Sequence, residues 1–221
     1  MEIKVIKHLL DESAKRADEI RSLLRERKVL MVNLIGSPGS GKTSLLELTL
    51  AAFKDRCRCA VIEGDVATDR DAVRLQRFEI PICLINTEGA CHLEPMSIRK
   101  SLDEFDLNAI DIIFVENVGN LVCPAEFDIG ENAKVAVSSV VEGHDKPEKY
   151  PLLFNECGAV VLNKIDLQPF TDFDKDIFYT SVKRLNGNVP ILETSCRKGE
   201  GLEGWYEWLE GERKRAGRGK Q

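Results

Sequence analysis

The stretch Val29-Leu30-Met31-Val32-Asn33-Leu34-Ile35-Gly36-Ser37-Pro38-Gly39-Ser40-Gly41-Lys42-Thr43 governs the reading of this chain. Its first seven residues are apolar except Asn33 and show no alternation, the pattern of a strand buried on both faces. Gly36 to Thr43 then matches G-x-x-x-x-G-K-[ST], and a helical segment over 43–53 follows. Strand, glycine-rich loop and helix in this order form a phosphate cradle. The glycines let successive backbone N–H groups turn inward around a β-phosphate, the helix presents its positive N-terminal end, and Lys42 reaches the β- and γ-oxygens. Thr43 is placed to ligate Mg²⁺ through its hydroxyl. Gly36, Ser37, Pro38, Gly39, Ser40, Gly41, Lys42 and Thr43 are therefore read as nucleotide-binding.

Working outward, further short apolar runs cover 60–63, 82–85, 112–115, 135–141, 160–162 and 191–193, with helical segments such as 173–185 between them. These predict an α/β fold, a mainly parallel twisted sheet with helices on both faces, as in P-loop NTPases. Ahead of it, Ile6, Leu10, Ala14, Ala17, Ile20 and Leu24 recur at three-and-four spacing and predict an amphipathic helix. The chain thus divides into a helical appendage over 1–28, a nucleotide-binding domain over 29–212 and a basic end over 213–221. The last, with Arg213, Lys214, Arg215, Arg218 and Lys220, reads as a solvated flexible tail.

Composition excludes several classes. The 221 residues carry 31 Lys and Arg against 37 Asp and Glu, a net charge of −6, so no global field attracts a polyanion and nucleic-acid binding is not expected. No apolar run approaches the roughly 20 residues of a membrane span. Met1-Glu2-Ile3-Lys4-Val5-Ile6-Lys7 places charges where a secretory signal needs an apolar stretch, which predicts a cytoplasmic protein. Seven cysteines, an odd number without an export signal, read as reduced thiols rather than a disulfide framework.

Asn163-Lys164-Ile165-Asp166 follows the apolar run at 160–162, at the strand edge where open α/β sheets bind ligands. It resembles the N-K-x-D motif of GTPases. The Asp166 carboxylate accepts from guanine N1–H and the 2-amino group together, which adenine does not offer, so GTP is preferred over ATP. Thr194-Ser195-Cys196-Arg197 looks like the motif that supports the base from behind, with Cys196 where alanine is usual. Asp65, ending the second strand, is placed to hold a Mg²⁺ water or the attacking water, although an aspartate there also suits a helix cap. Asp71 carries the same two readings and is a candidate switch residue. Glu116 stands where small GTPases carry the aspartate of D-x-x-G, and Gly119 is positioned to donate its N–H to a γ-phosphate.

Two segments remain: Gly89-Ala90-Cys91-His92 and Leu121-Val122-Cys123-Pro124. Thiolate and imidazole suit Zn²⁺ and Ni²⁺, although one chain offers too few ligands for a closed site, and buried or idle cysteines are the alternative. A two-fold interface would present Cys91, His92 and Cys123 twice.

Together these residues resemble the HypB family of hydrogenase maturation GTPases. The resemblance runs through the phosphate loop, Glu63-Gly64-Asp65, Asn86-Thr87-Glu88-Gly89-Ala90-Cys91-His92-Leu93, Asn163-Lys164-Ile165-Asp166 and, most specifically, Glu116-Asn117-Val118-Gly119-Asn120-Leu121-Val122-Cys123-Pro124. It implies a Mg²⁺-dependent enzyme converting GTP to GDP and a homodimer with nucleotide between protomers. It further implies Ni²⁺ or Zn²⁺ at Cys91, His92 and Cys123. The implied partners are a nickel-delivering zinc protein and the hydrogenase large-subunit precursor. Many relatives carry an N-terminal C-x-x-C-G-C motif or a histidine-rich stretch; here the first 28 residues hold no cysteine and one histidine, His8. N-terminal nickel storage is therefore not expected. A urease-type nickel GTPase would be expected to read Cys-Pro-His, whereas Ala125 follows Cys123-Pro124. A regulatory GTP switch would need none of the three metal candidates, and a small-molecule P-loop kinase would leave Asp166 no base to read.

Overall fold

The computed structural model describes residues 8–65 and 74–218. Its core is a seven-stranded sheet in the order β3-β2-β4-β1-β5-β6-β7. The strands are β1 (Leu30–Ile35), β2 (Cys59–Asp65), β3 (Ile82–Asn86), β4 (Ile112–Glu116), β5 (Ala133–Ser139), β6 (Ala159–Asn163) and β7 (Ile191–Glu193). All the pairings are parallel. The chain leaves β1 toward β2 and β3, returns to β4, then crosses to β5. That reversal opens a crevice beyond the carboxyl end of β1, where such sheets bind ligands.

Helices cover both faces: α1 (His8–Arg27), α2 (Lys42–Phe53), α3 (Pro95–Asp103), α4 (Cys123–Glu126), α5 (Lys146–Lys149), α6 (Pro151–Glu156), α7 (Lys175–Leu185) and α8 (Leu202–Arg218). On one face Leu45, Leu46, Leu50 and Phe53 of α2 and Trp205 and Leu209 of α8 pack on Val32, Leu34 and Phe114. Trp205 is fully buried, and its Nε1–H donates to Thr49 Oγ1 at 2.8 Å, so the indole dipole is satisfied in the core. On the other face, Phe154, Phe178 and Val182 pack on Val160 and Leu162.

Both chain ends depart from the sequence reading. The N-terminal helix, expected as an appendage, is a wall of the domain. Ala17, Ile20 and Leu24 are fully buried, and Ile20 and Leu24 join Met31, Ile98 and Ile113 in one cluster against α3. Arg21 also reaches Asp128 at 2.5 Å. The amphipathic pattern was legible, but its partner surface lies far away in sequence. At the other end, residues 213–218 continue α8 rather than forming a flexible tail. Arg213 pairs with Glu210 at 2.8 Å and Arg215 pairs with Glu212, so acidic residues one turn earlier support the basic segment as helix. Lys220 and Ile6 lie outside the described residues.

Candidate nucleotide and metal sites

The loop Gly36 to Gly41 joins β1 to α2, which begins at Lys42. Gly41 sits at φ +103, and a Cβ there would lie 2.2 Å from Asn163 Nδ2, so no other residue fits without displacing that amide. Asn163 is buried and donates to Ser40 O at 3.0 Å, while its Oδ1 accepts from Cys196 N at 3.1 Å and Thr194 Oγ1 at 3.3 Å. One side chain therefore ties the phosphate loop to the loop after β7. Lys164 Nζ donates to Gly39 O at 2.6 Å, and Ser195 Oγ donates to Asp166 Oδ1 at 2.6 Å. The hydroxyl fixes one carboxylate oxygen of Asp166. The Cys196 thiol is pushed up to about 11, chiefly by burial, so it stays protonated beside the Asp166 carboxylate.

A cleft of about 560 Å³ runs over the loop. Lys42 and Thr43 form its floor. Lys42 Nζ donates to Gly36 O at 3.2 Å, and Thr43 Oγ1 donates to Glu116 Oε1 at 2.8 Å. Glu116 stands in register with Glu63 on the neighbouring strand, so two buried carboxyl groups line the cleft side by side. A hydroxyl flanked by carboxylates is an oxygen donor set that suits Mg²⁺. Gly119 closes the far wall: a Cβ there would lie 2.8 Å from Pro38 Cγ and 3.1 Å from Pro38 N, so the segment after β4 lies directly on the phosphate loop.

That segment continues into α4, whose first residue is Cys123. The Cys123 and Cys91 sulfurs are 2.8 Å apart, Cys91 Sγ lies 3.7 Å from His92 Nδ1, and one ligand atom from each of the three residues falls within 4.8 Å of the others. The His92 ring stacks on Phe127 at 3.8 Å, and its buried Nε2 has no hydrogen-bond partner among the described residues. The hydrogen bond between the two sulfurs, followed by desolvation, holds the Cys123 thiol above its ordinary pKa. Thiol sulfur and imidazole nitrogen so close together are a donor set that suits a divalent metal such as Ni²⁺ or Zn²⁺. The other thiols differ: burial pushes Cys157 up to about 12, and the neighbouring Cys57 thiol and burial raise Cys59 at the start of β2, distant in the sheet from the cleft.

Residues 30–193 match the CobW/HypB/UreG nucleotide-binding domain. Over 205 residues the chain is 44% identical to the hydrogenase maturation factor HypB of Escherichia coli, an alignment spanning 93% of this chain and 71% of that protein. The chain belongs to the HypB family. The HypB crystal structure from Archaeoglobus fulgidus is 35% identical with a TM-score of 0.86, over 92% of this chain and 99% of that one. HypB from Helicobacter pylori, solved in complex with nickel, is 34% identical with a TM-score of 0.86, over 92% and 96% of the two chains.

Within this HypB fold the sequence-predicted residues gather at one edge of the sheet, with two exceptions. Asp65 ends β2 in register with Asn86, and only its backbone is described. Asp71 lies outside the described residues. Several residues not singled out from the sequence also line or underlie the cleft. Glu63 and Arg74 line the cleft. Beneath it, Asn117 Nδ2 donates to Asn33 Oδ1 at 3.1 Å and Asn33 Nδ2 donates to Glu131 Oε1 at 3.1 Å, while Asn117 Oδ1 accepts from Leu93 N at 3.4 Å. Burial holds the Glu131 carboxyl above its usual range. This chain of amides and carboxyl anchors the backbone next to His92. Asn33 and Glu63, polar residues inside apolar strands, were the available signal.

Proposed function

We propose that the chain is a GTP-hydrolysing metallochaperone that assists nickel insertion during [NiFe]-hydrogenase maturation. In this reading, metal sits at Cys91, His92 and Cys123 in a homodimer whose interface depends on the nucleotide. One observation carries the proposal: a single segment, Gly119 to Cys123, lies against the phosphate loop at one end and places a thiol beside Cys91 at the other. Nickel is the cargo, and it is nickel that the Helicobacter pylori relative was solved with. Zinc suits the same ligands. Three ligands from one chain leave a four-coordinate metal open, and a second protomer would close the site.

In this reading the loop N–H groups and Lys42 hold the triphosphate, while Asp166, backed by Ser195, reads guanine between Lys164 and Cys196. Thr43 and Asp65 would hold Mg²⁺, which when bound neutralises the β- and γ-phosphate oxygens. Asp65 orients the attacking water, Glu116 fixes the Thr43 hydroxyl, Gly119 donates to the γ-phosphate, and Asp71 acts as a switch residue. The proposed partners are a nickel-delivering zinc protein and the hydrogenase large-subunit precursor, and the proposed compartment is the cytoplasm. Among the described residues no helix is long and apolar enough to cross a membrane.

The test is Ni²⁺ and Zn²⁺ titration of the GDP-bound and GTP-analogue-bound protein, with oligomer size followed alongside. The affinities should differ between nucleotide states, and by linkage metal should shift GTP-versus-GDP preference by the same factor. Equal metal affinity in both states would remove the coupling.

A further inference from the structure

We propose that Arg74 is a catalytic residue of this site, held away from the phosphates by Glu47 and released to the γ-phosphate when GTP occupies the cleft. The inference rests on the GTPase reading above. Three cations line the cleft among the described residues: Lys42, Lys164 and Arg74. Lys42 belongs to the β- and γ-oxygens, and Lys164 is tied to Gly39 O on the base side. Arg74 lines the same cleft and brings a planar fork of N–H groups that stays charged at every relevant pH.

Its ion pair with Glu47 bears on how it can move. Arg74 Nη2 lies 2.6 Å and Nε 3.3 Å from the two carboxylate oxygens of Glu47, on the helix that begins at Lys42. The Glu47 carboxylate is only 15% exposed, and stripping it of its cation would be unfavourable; yet Arg77 Nη2 also reaches it, at 3.2 Å. When Arg74 leaves, Arg77 remains, so Glu47 is never left alone. The Arg74 side chain is itself 43% exposed, and an ion pair this open is weak enough to exchange for a multiply charged phosphate.

The step is hydrolysis. Water oxygen bonds to the γ-phosphorus while the bond from that phosphorus to the β–γ bridging oxygen breaks. The bridging oxygen keeps the electron pair as part of GDP, and both water hydrogens leave with inorganic phosphate. Charge grows on the equatorial and bridging oxygens, and two N–H groups of Arg74 answer it more strongly than they answer the ground state.

Single-turnover hydrolysis, with GDP, GTP-analogue and GDP–aluminium fluoride affinities, tests this in Arg74→Ala, Arg74→Lys and Glu47→Gln. Arg74→Ala should slow hydrolysis by about a hundredfold or more and abolish aluminium fluoride capture, with GDP affinity kept within about twofold. Lysine should restore little, lacking the fork. Glu47→Gln breaks the same ion pair but keeps the Arg74 guanidinium, so hydrolysis should rise. If the pair is merely a structural clamp, Arg74→Ala and Glu47→Gln will slow hydrolysis alike, and the proposal fails. Wild-type turnover in Arg74→Ala also overturns it. Failure of the unmodified protein to prefer GTP over ATP would instead overturn the GTPase reading beneath it.

Discussion

The phosphate cleft and the thiol cluster lie at opposite ends of one short segment, yet they are built differently. In the cleft Lys42, Thr43, Asn163 and Glu116 are buried, and each hydrogen-bonds to a neighbour in the same chain. The cluster has three ligand atoms, an exposed Cys91 and a half-buried Cys123. A site whose side chains are buried and tied to one another holds its ligand in fixed geometry; an open three-ligand site suits a metal that must arrive and leave. The comparison teaches that the nucleotide end can drive and the metal end can exchange.

The strongest way to break this contrast is Lys42→Ala. It should abolish measurable hydrolysis and most triphosphate affinity, because it removes the cation held in the phosphate loop against the β- and γ-oxygens together, while nickel binding by the isolated protein persists. Retained turnover in a phosphate-release assay would mean that the two ends are mis-assigned. Asp166→Asn should lower the preference for GTP over ATP by about a thousandfold, since a site built to hydrogen-bond one partner rejects the other steeply. Competition binding with both nucleotides decides it.

At the metal end, Cys123→Ala should weaken Ni²⁺ binding by at least about tenfold without altering GDP affinity, as judged by calorimetry. The same site should be pH-dependent. The Cys123 thiol lies above its ordinary pKa in the metal-free form and must lose its proton to ligate, so affinity rises with pH, by up to about tenfold per unit for each proton released. A flat profile between about pH 6.5 and 8.5, an interval below the ordinary thiol pKa, would show that Cys123 is not a ligand. The smallest effect is expected for Gly119→Ala. Its new methyl must displace Pro38, so hydrolysis should fall modestly while the difference in nickel affinity between nucleotide states shrinks. An unchanged difference would locate the coupling elsewhere, for example in the Asn117–Leu93 contact.

Much of the fold was legible because its signals are local. The seven apolar runs are strands within one or two residues, since a parallel sheet covered on both faces leaves uninterrupted hydrophobic stretches. The phosphate loop and the 163–166 turn announce themselves because glycine, lysine, asparagine and aspartate are required there by backbone geometry and hydrogen bonding. Lys164, at φ +61, is a left-handed residue that no propensity rule would have proposed, and the tie from Lys164 Nζ to Gly39 O accompanies it. The ends were misread for the opposite reason. An amphipathic stripe tells that a helix buries one face, but not against what.

By itself, therefore, the sequence determined the element types, the phosphate loop, a candidate guanine-reading carboxylate and the identity of three metal candidates. Only the tertiary structure decided that Cys91 and Cys123 touch, that Asn163 clamps Ser40, and that Arg74 faces the cleft from Glu47. The physical reason is the strand order. Setting β2 and β4 side by side, with β1 between β4 and β5, brings residues far apart in the chain to one edge, and that order is fixed by packing summed over the whole sheet rather than by any residue's own preference.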